Sequence, residues 1–341
     1  MKQIRTIDAV GHVLCHDITR IIKDKEKGPV FRKGHVVREE DIPVLLSVGK
    51  EHLYVWDKDE NMLHEDEAAE VLYNICKNDN IARSETKEGK IDMYAECDGL
   101  FMVDLSRLEA INSMENMMIA TRHTYTPVKK GDKLAGTRII PLVIEKEKME
   151  EVQKVAGNEP LLKLIPYPSR KAGIVTTGSE VYNGRIKDTF TPVVKDKLAR
   201  YNIETVEHRI VGDEIENIAS AINELRDKGL DLIVCTGGMS VDPDDRTPGA
   251  IKASGANIVT YGAPVLPGAM FLLGYFDDGM PIMGLPGCVM YARTTIFDLI
   301  LPRLAAGLRV SKKDIVKLGH GGLCLECETC IYPNCGFGKG V

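Results

Sequence analysis

The stretch DLIVCTGGMSVDPDDRTPG, residues 231–249, changes character halfway along. Leu232 to Cys235 is an apolar run short enough for a buried strand, and Thr236, Gly237, Gly238 and Ser240 follow it as a turn. Glycines at 237 and 238 permit positive φ, so successive backbone N–H groups can converge on an anion, with the Ser240 hydroxyl beside them. Thr247-Pro248 then fits the N-cap and first position of a helix. Three carboxylates, Asp242, Asp244 and Asp245, interrupt this cradle and would repel a phosphate. A hard divalent cation with oxygen ligands, Mg²⁺, removes the conflict.

Upstream the same strand, loop and helix order recurs. KAGIVTT (171–177) is a β-branched strand followed by GSEVYNGRIKDT, which offers Thr177, Gly178, Glu180 and Asp188. Glu180 and Asp188 can accept from a ligand or bind a cation; read locally, Asp188 is a turn former. TPVVKDKLARYN has a helical face of Val194, Leu198 and Tyr201, and ETVEHRIV is a strand. After it Asp213, with Glu216 three residues on, resembles a capping box, while its place at a strand end also aims it at a ligand. The next helix places Ile215, Ile218, Ala219, Ile222 and Leu225 on one stripe. Three such units predict an α/β domain over 168–310: a three-layer, mostly parallel sheet with helices on both faces and ligands at the carboxyl ends of the strands. PIMGLPGCVMYARTTIFDLILPRLAAG closes it as a strand, a Pro286-Gly287 turn and a long helix.

The remainder reads as three further parts. Residues 1–56 carry a helix at EEDIPVLLSVG and a strand at EHLYVW. Residues 57–165 hold an amphipathic helix over 65–78, strands around Gly-Asp turns and a charged helix before a linker near 157–169, a small β-rich or α+β domain. In 311–341, Cys324, Cys327, Cys330 and Cys335 follow C-x₂-C-x₂-C-x₄-C, a spacing that suits either one tetrahedral Zn²⁺ or a [4Fe–4S] cluster. His320 is a further candidate ligand. Cys15, Cys76, Cys97, Cys235 and Cys288 are scattered in apolar or mixed context, as reduced thiols are.

Composition narrows the function classes. With 341 residues, 44% hydrophobic and 28% charged, the chain can build several cores; its net charge of -6 argues against a nucleic-acid face and for a small-molecule partner. No signal-peptide core and no membrane-spanning window is found, so the expected location is cytoplasmic, without membrane association.

TTGSE, RIVGDE, TGGMSVDPDDRTP, LPGAMFLLG and MGLPGC, in this order, resemble the molybdopterin-binding domain shared by molybdopterin molybdenumtransferases and molybdopterin adenylyltransferases. MSV after Gly-Gly is similar to the molybdenumtransferase branch, as are AVGHVLCHDI and GPVFRKGHVVREEDIPVLLSVGKEHLYVW near the N-terminus, although the domain that branch inserts between them is not found. Asp242 stands where that motif has Gly, and Leu266 where Lys precedes Pro-Gly. The resemblance implies that Glu180, Asp213 and Asp245 surround the pterin phosphate and Mg²⁺, while Gly237, Gly238, Ser240 and Pro286-Gly287 hold the ligand. It implies molybdenum cofactor biosynthesis on molybdopterin or its adenylate, with molybdate insertion and AMP release, by a homo-oligomer. The alternatives left open are molybdopterin adenylylation, a non-catalytic molybdopterin carrier or sensor serving a molybdoenzyme or another cofactor-synthesis protein, and a nucleotide pyrophosphatase, which DPDDRT also resembles.

Overall fold

The computed structural model describes residues 2–22, 26–55, 60–240, 242–243 and 245–340. Asp244, read above as an acid of the third loop, and Trp56, the end of EHLYVW, lie outside the described residues. The chain forms two compact units: Met1–Glu96 with Val103–Arg122 and Lys130–Leu164, and Cys97–Met102 with His123–Lys129 and Ile165–Val341.

The first unit is built from short antiparallel strands and helices. Lys90–Ala95 and Lys133–Ile139 are the inner strands of a four-stranded sheet edged by Ile81–Arg83 and Met117–Thr121. Their inward positions, Ile91, Met93, Ala135 and Ile139, are buried, and the helix Glu65–Cys76 buries Ala68, Ala69, Leu72 and Cys76, the period-2 and period-3.6 patterns of half-buried elements. A separate small core gathers Ala9, Leu14, Ile18, Val37, Leu45 and Leu53. His64, Glu65 and Asp66 form a metal-sized cluster, but Lys33 Nζ donates to Asp66 at 2.7 Å and lies 3.0 Å from His64 Nδ1. An ammonium thus serves as the cation there.

The second unit carries a six-stranded sheet. Its strands are β1 (Arg170–Thr177), β2 (Ile203–Val211), β3 (Leu232–Thr236), β4 (Asn257–Tyr261), β5 (Leu272–Tyr275) and β6 (Pro281–Leu285), in the order β2-β1-β3-β6-β5-β4. β1, β2, β3 and β6 pair in parallel, and β5 runs against both β6 and β4. The fold is therefore α/β with a mostly parallel sheet. Strands β1, β3 and β6 are buried almost throughout, as central parallel strands covered on both faces must be.

Helices α1 (Ser179–Tyr182), α2 (Phe190–Ala199), α3 (Ile215–Arg226), α4 (Thr247–Ala253), α5 (Ile296–Ala305) and α6 (Lys312–Lys317) complete the layers. Two cores divide the faces. One combines Val194 and Leu198 of α2 with Phe297, Ile300 and Leu301 of α5; the other combines Ile218, Ile222 and Leu225 of α3 with Ala250 and Ile251 of α4. The expected long terminal helix is shorter: a 3₁₀ turn at Gly287–Met290 comes first, and Thr295 caps α5 through its hydroxyl, donated to by the Phe297 amide at 3.2 Å.

Two further features were not anticipated. Cys97–Met102 and His123–Lys129 join the second unit as an antiparallel pair with Phe101 opposite Thr126, and Arg303, buried in α5, lies 4.0 Å from the Tyr125 ring centre. The segment 311–340 also packs onto the unit: Ile315, Leu318 and Phe337 belong to the same core as α5. Among the described residues, no helix is long and apolar enough to cross a membrane.

Candidate functional site

A cleft of about 350 Å³ lies where the chain leaves β1, β2 and β3, lined by Thr176, Thr177, Gly178, Glu180, Asp213, Thr236, Gly237, Gly238 and Asp245 among others. All three strand-end loops contribute, as an open α/β sheet requires of a ligand crevice.

Buried hydroxyls tie the loops together. Thr177 Oγ1 and Thr247 Oγ1 are 3.0 Å apart, and Thr247 also donates to the Gly237 carbonyl at 2.9 Å. Thr236 donates to Thr176 at 3.2 Å, and Thr176 lies 2.9 Å from both Thr191 Oγ1 and His208 Nε2. Thr247 is accordingly the first residue of α4, fully buried, where the sequence placed an N-cap. Gly237 (φ +88) and Gly238 (φ +52) occupy the left-handed region; a Cβ on Gly237 would meet the Thr177 carbonyl, and one on Gly238 would come within 2.8 Å of Thr247 Oγ1. Only glycine lets the third loop lie this close to the first.

The acids divide into different roles. Asp213 Oδ2 accepts from the Ser179 amide at 2.8 Å and the Ser179 hydroxyl at 2.7 Å, linking the second loop to the first. It does not cap α3, whose N-cap is Glu214 with no side-chain bond, so the capping-box reading is corrected. Asp245 Oδ2 accepts from the Ser240 amide at 2.9 Å and closes the third loop on itself. Among the described residues, no donor reaches Oδ1 of either carboxylate. Glu180, on α1, is exposed; its carbonyl accepts from the Arg185 amide at 2.8 Å, and its carboxylate has no hydrogen-bonded partner among them.

Asp188 behaves differently. Its Oδ1 accepts from the Phe190 and Thr191 amides, both at 3.0 Å, and its Oδ2 lies 3.4 Å from Thr176 Oγ1 and 3.6 Å from His208 Nε2. Burial alone would raise this carboxyl, but the Thr191 and Phe190 hydrogen bonds and His208 outweigh it and hold the group below its ordinary range. Asp188 lines the cleft, yet its oxygens are engaged in starting α2. Burial lowers the His208 imidazole, against the opposing pull of Asp188.

Several expected ligands lie elsewhere. Ser240, Pro286 and Gly287 are not among the residues lining the cleft; Met290, from the turn after Pro286, is. The Ser240 amide is committed to Asp245 and the Ser240 carbonyl accepts from Tyr261 at 3.2 Å. Asp242 is exposed and uses its carbonyl to accept from the Asp245 amide at 2.9 Å, a turn outside the cleft. Lys187 lines the cleft and was missed; an isolated lysine in RIKD carries little signal before the loop is folded.

Glu180, Asp213 and Asp245 do not draw together into a chelate: among the described residues, only His64, Glu65 and Asp66 bring three such groups within 4.8 Å. The donor set fits Mg²⁺ in the form it takes at phosphate sites, where one or two carboxylates are completed by water and phosphate oxygens.

The four tail cysteines form a separate group. Cys324, Cys327, Cys330 and Cys335 line one cavity of about 880 Å³ that shares no residue with the cleft; His320 does not line it. No three of their sulfurs lie within 4.8 Å of one another.

An α/β sheet whose strand-end loops bring glycine backbone and carboxylates around one crevice places a candidate ligand site where open α/β sheets bind ligands. Residues 173–306 match the family described as "Probable molybdopterin binding domain", and residues 3–57 match a domain of unknown function. A CinA-like protein of Mycobacterium avium is 40% identical over 79 residues, covering 23% of this chain and 18% of the relative, so the match spans about a fifth of that protein. Among solved structures, MoaB of Thermus thermophilus, titled a molybdopterin biosynthesis enzyme, is 25% identical with a TM-score of 0.34, covering 40% of this chain and 97% of that one. A molybdenum cofactor biosynthesis protein of Pyrococcus furiosus is 15% identical with a TM-score of 0.28, covering 91% of this chain and 66% of that one.

Proposed function

We propose that this protein acts in molybdenum cofactor biosynthesis, binding molybdopterin adenylate in the cleft and promoting molybdate insertion with release of AMP. The observation that carries this reading is the paired use of Asp213 and Asp245: one oxygen of each holds a loop, and the other is left for a ligand. Gly237 and Gly238 bring backbone close to the phosphate, and Lys187 adds a cation to the same cleft. Asp213 and Asp245, each with one carboxylate oxygen free of a hydrogen bond, would hold Mg²⁺. Bound there, Mg²⁺ would offset phosphate charge while water adds at phosphorus and cleaves the anhydride, leaving AMP and the molybdopterin phosphate. The chain's own contribution is positioning and charge, and no covalent nucleophile is needed.

Incubation with adenylylated molybdopterin, molybdate and Mg²⁺ tests the proposal: AMP release supports it, and tight pterin binding without turnover instead supports a carrier delivering cofactor to a molybdoenzyme. A second reading, nucleotide pyrophosphatase on the same domain, draws on the Asp-rich stretch 242–247, DPDDRT. Hydrolysis of ADP-ribose in place of both other outcomes would favour it.

A further inference from the structure

We propose that Cys324, Cys327, Cys330 and Cys335 hold a [4Fe–4S] cluster in the cavity they line, in preference to a single zinc ion. The spacing alone admits both metals, and the folded tail separates them.

The cysteines are set in place by the fold around them. The Leu266 amide donates to Gly322 and the Cys324 amide donates back to Leu266, both at 2.8 Å, so the segment entering the cysteines is paired with the chain before Pro267. Beyond Cys330, the Tyr332 hydroxyl donates to the Asp298 carbonyl of α5 at 2.8 Å, and Phe337 is 5% exposed within the main core. A Cβ on Gly338 would collide with Leu299. Each end of the four-cysteine run is thereby anchored to the second unit without help from a metal.

With the segment held in this way, all four cysteines line one cavity. Four thiolates on one tetrahedral zinc at about 2.3 Å must lie about 3.8 Å from one another. Here no three sulfurs fall within 4.8 Å, while all four border the same cavity of about 880 Å³. A cubane cluster takes one thiolate at each of its four irons, so it suits sulfurs spread around a volume. The ligand set is sulfur alone, which the exclusion of His320 from the lining supports. Arg293 lines the cavity with its guanidinium donating to the Glu328 carbonyl at 2.6 Å, and Thr294 Oγ1 lies 3.4 Å from Cys330 Sγ. A cation and a hydroxyl beside the thiolates offset their charge, as the surroundings of such clusters do.

The test uses the full chain, reconstituted anaerobically with ferrous iron and sulfide, desalted, and assayed for iron, acid-labile sulfide and visible absorption before and after dithionite. A matched sample receives zinc alone. The expected result is about four iron and four sulfide per chain, with visible bands that bleach on reduction. Cys327→Ser with Cys330→Ser, both at exposed positions, should lose the cluster while the far-UV circular dichroism is unchanged. Stoichiometric zinc that survives desalting where iron and sulfide do not would overturn the proposal, as would a colourless protein retaining neither metal. Retention of the full cluster by the double variant would also overturn it. None of these readouts involves the pterin cleft, so failure here is distinguishable from failure of the proposed reaction.

Discussion

The hydroxyls of Thr177 and Thr247 lie 3.0 Å apart although 70 residues separate them in the chain, and this pair joins the first strand-end loop to the third. Both threonines are buried, and Thr247 also satisfies the Gly237 carbonyl. Thr247→Val keeps the shape and removes the donor, leaving that carbonyl without its partner. The expected loss is about 1–3 kcal/mol of unfolding free energy. Urea denaturation checks it, and an unchanged midpoint would show that the two loops are held by other contacts.

Gly237→Ala should be more damaging to the cleft than to the rest of the unit. At φ +88 with the Thr177 carbonyl against its Cβ, alanine must move the loop. Conformational strain alone is about 1–3 kcal/mol. Pterin binding, followed by fluorescence titration, should fall at least tenfold; full binding with parental stability would remove the close approach from the account.

Lys197 and Asp298 form a buried ion pair, with Nζ at 2.6 and 2.7 Å from the two carboxylate oxygens and side chains only 5% and 7% exposed. Asp298 also accepts from the Thr295 amide, so the pair connects α2 to the start of α5. Lys197→Met leaves a buried carboxylate uncompensated and should destabilise the unit by about 3–5 kcal/mol. A thermal or urea midpoint within error of the parent would contradict this.

In the first unit, Glu65 is 8% exposed, and burial followed by the neighbouring Asp66 raises its carboxyl from 4.5 to about 7 against the pull of Arg138 and Lys33. A folded-state value above the unfolded one means that the native state binds the proton more tightly. Its stabilising contribution is therefore complete below pH 4.5 and is lost as pH rises through about 7. Glu65→Gln should raise stability at pH 8 by on the order of 2–3 kcal/mol and flatten the decline across that window. Denaturation at several pH values checks both; equal stability of variant and parent at pH 8 would contradict the assignment.

The sequence was most informative where signals are local. Alternating strands and amphipathic helices from Lys171 onward, with glycine and acid at each strand end, marked both the sheet and the cleft, and Gly237, Gly238, Asp213 and Asp245 are found there. What it left unread depends on contacts between distant residues. The reversed direction of β5, the pairing of Phe101 with Thr126 and the packing of Phe337 on α5 have no short-range signature. Asp188 and Asp213 both read as acids near helix starts that could also face a ligand. Their local settings are nearly alike, and the partner that separates them, the Ser179 amide for Asp213 and the α2 amides for Asp188, becomes visible once the strands are side by side.

The central claim is that Asp213 and Asp245 hold their loops with one oxygen and serve a Mg²⁺-dependent phosphoanhydride cleavage with the other. Asparagine at either position keeps a carbonyl acceptor for Ser179 or Ser240 and removes the charge. The direct measurement is AMP release from adenylylated molybdopterin with molybdate, as a function of Mg²⁺, for the parent, Asp213→Asn and Asp245→Asn. The account predicts Mg²⁺-dependent release by the parent, and at least a hundredfold slower release by each folded variant that still binds the pterin. Undiminished release by both variants, or release by the parent that does not respond to Mg²⁺, would contradict it.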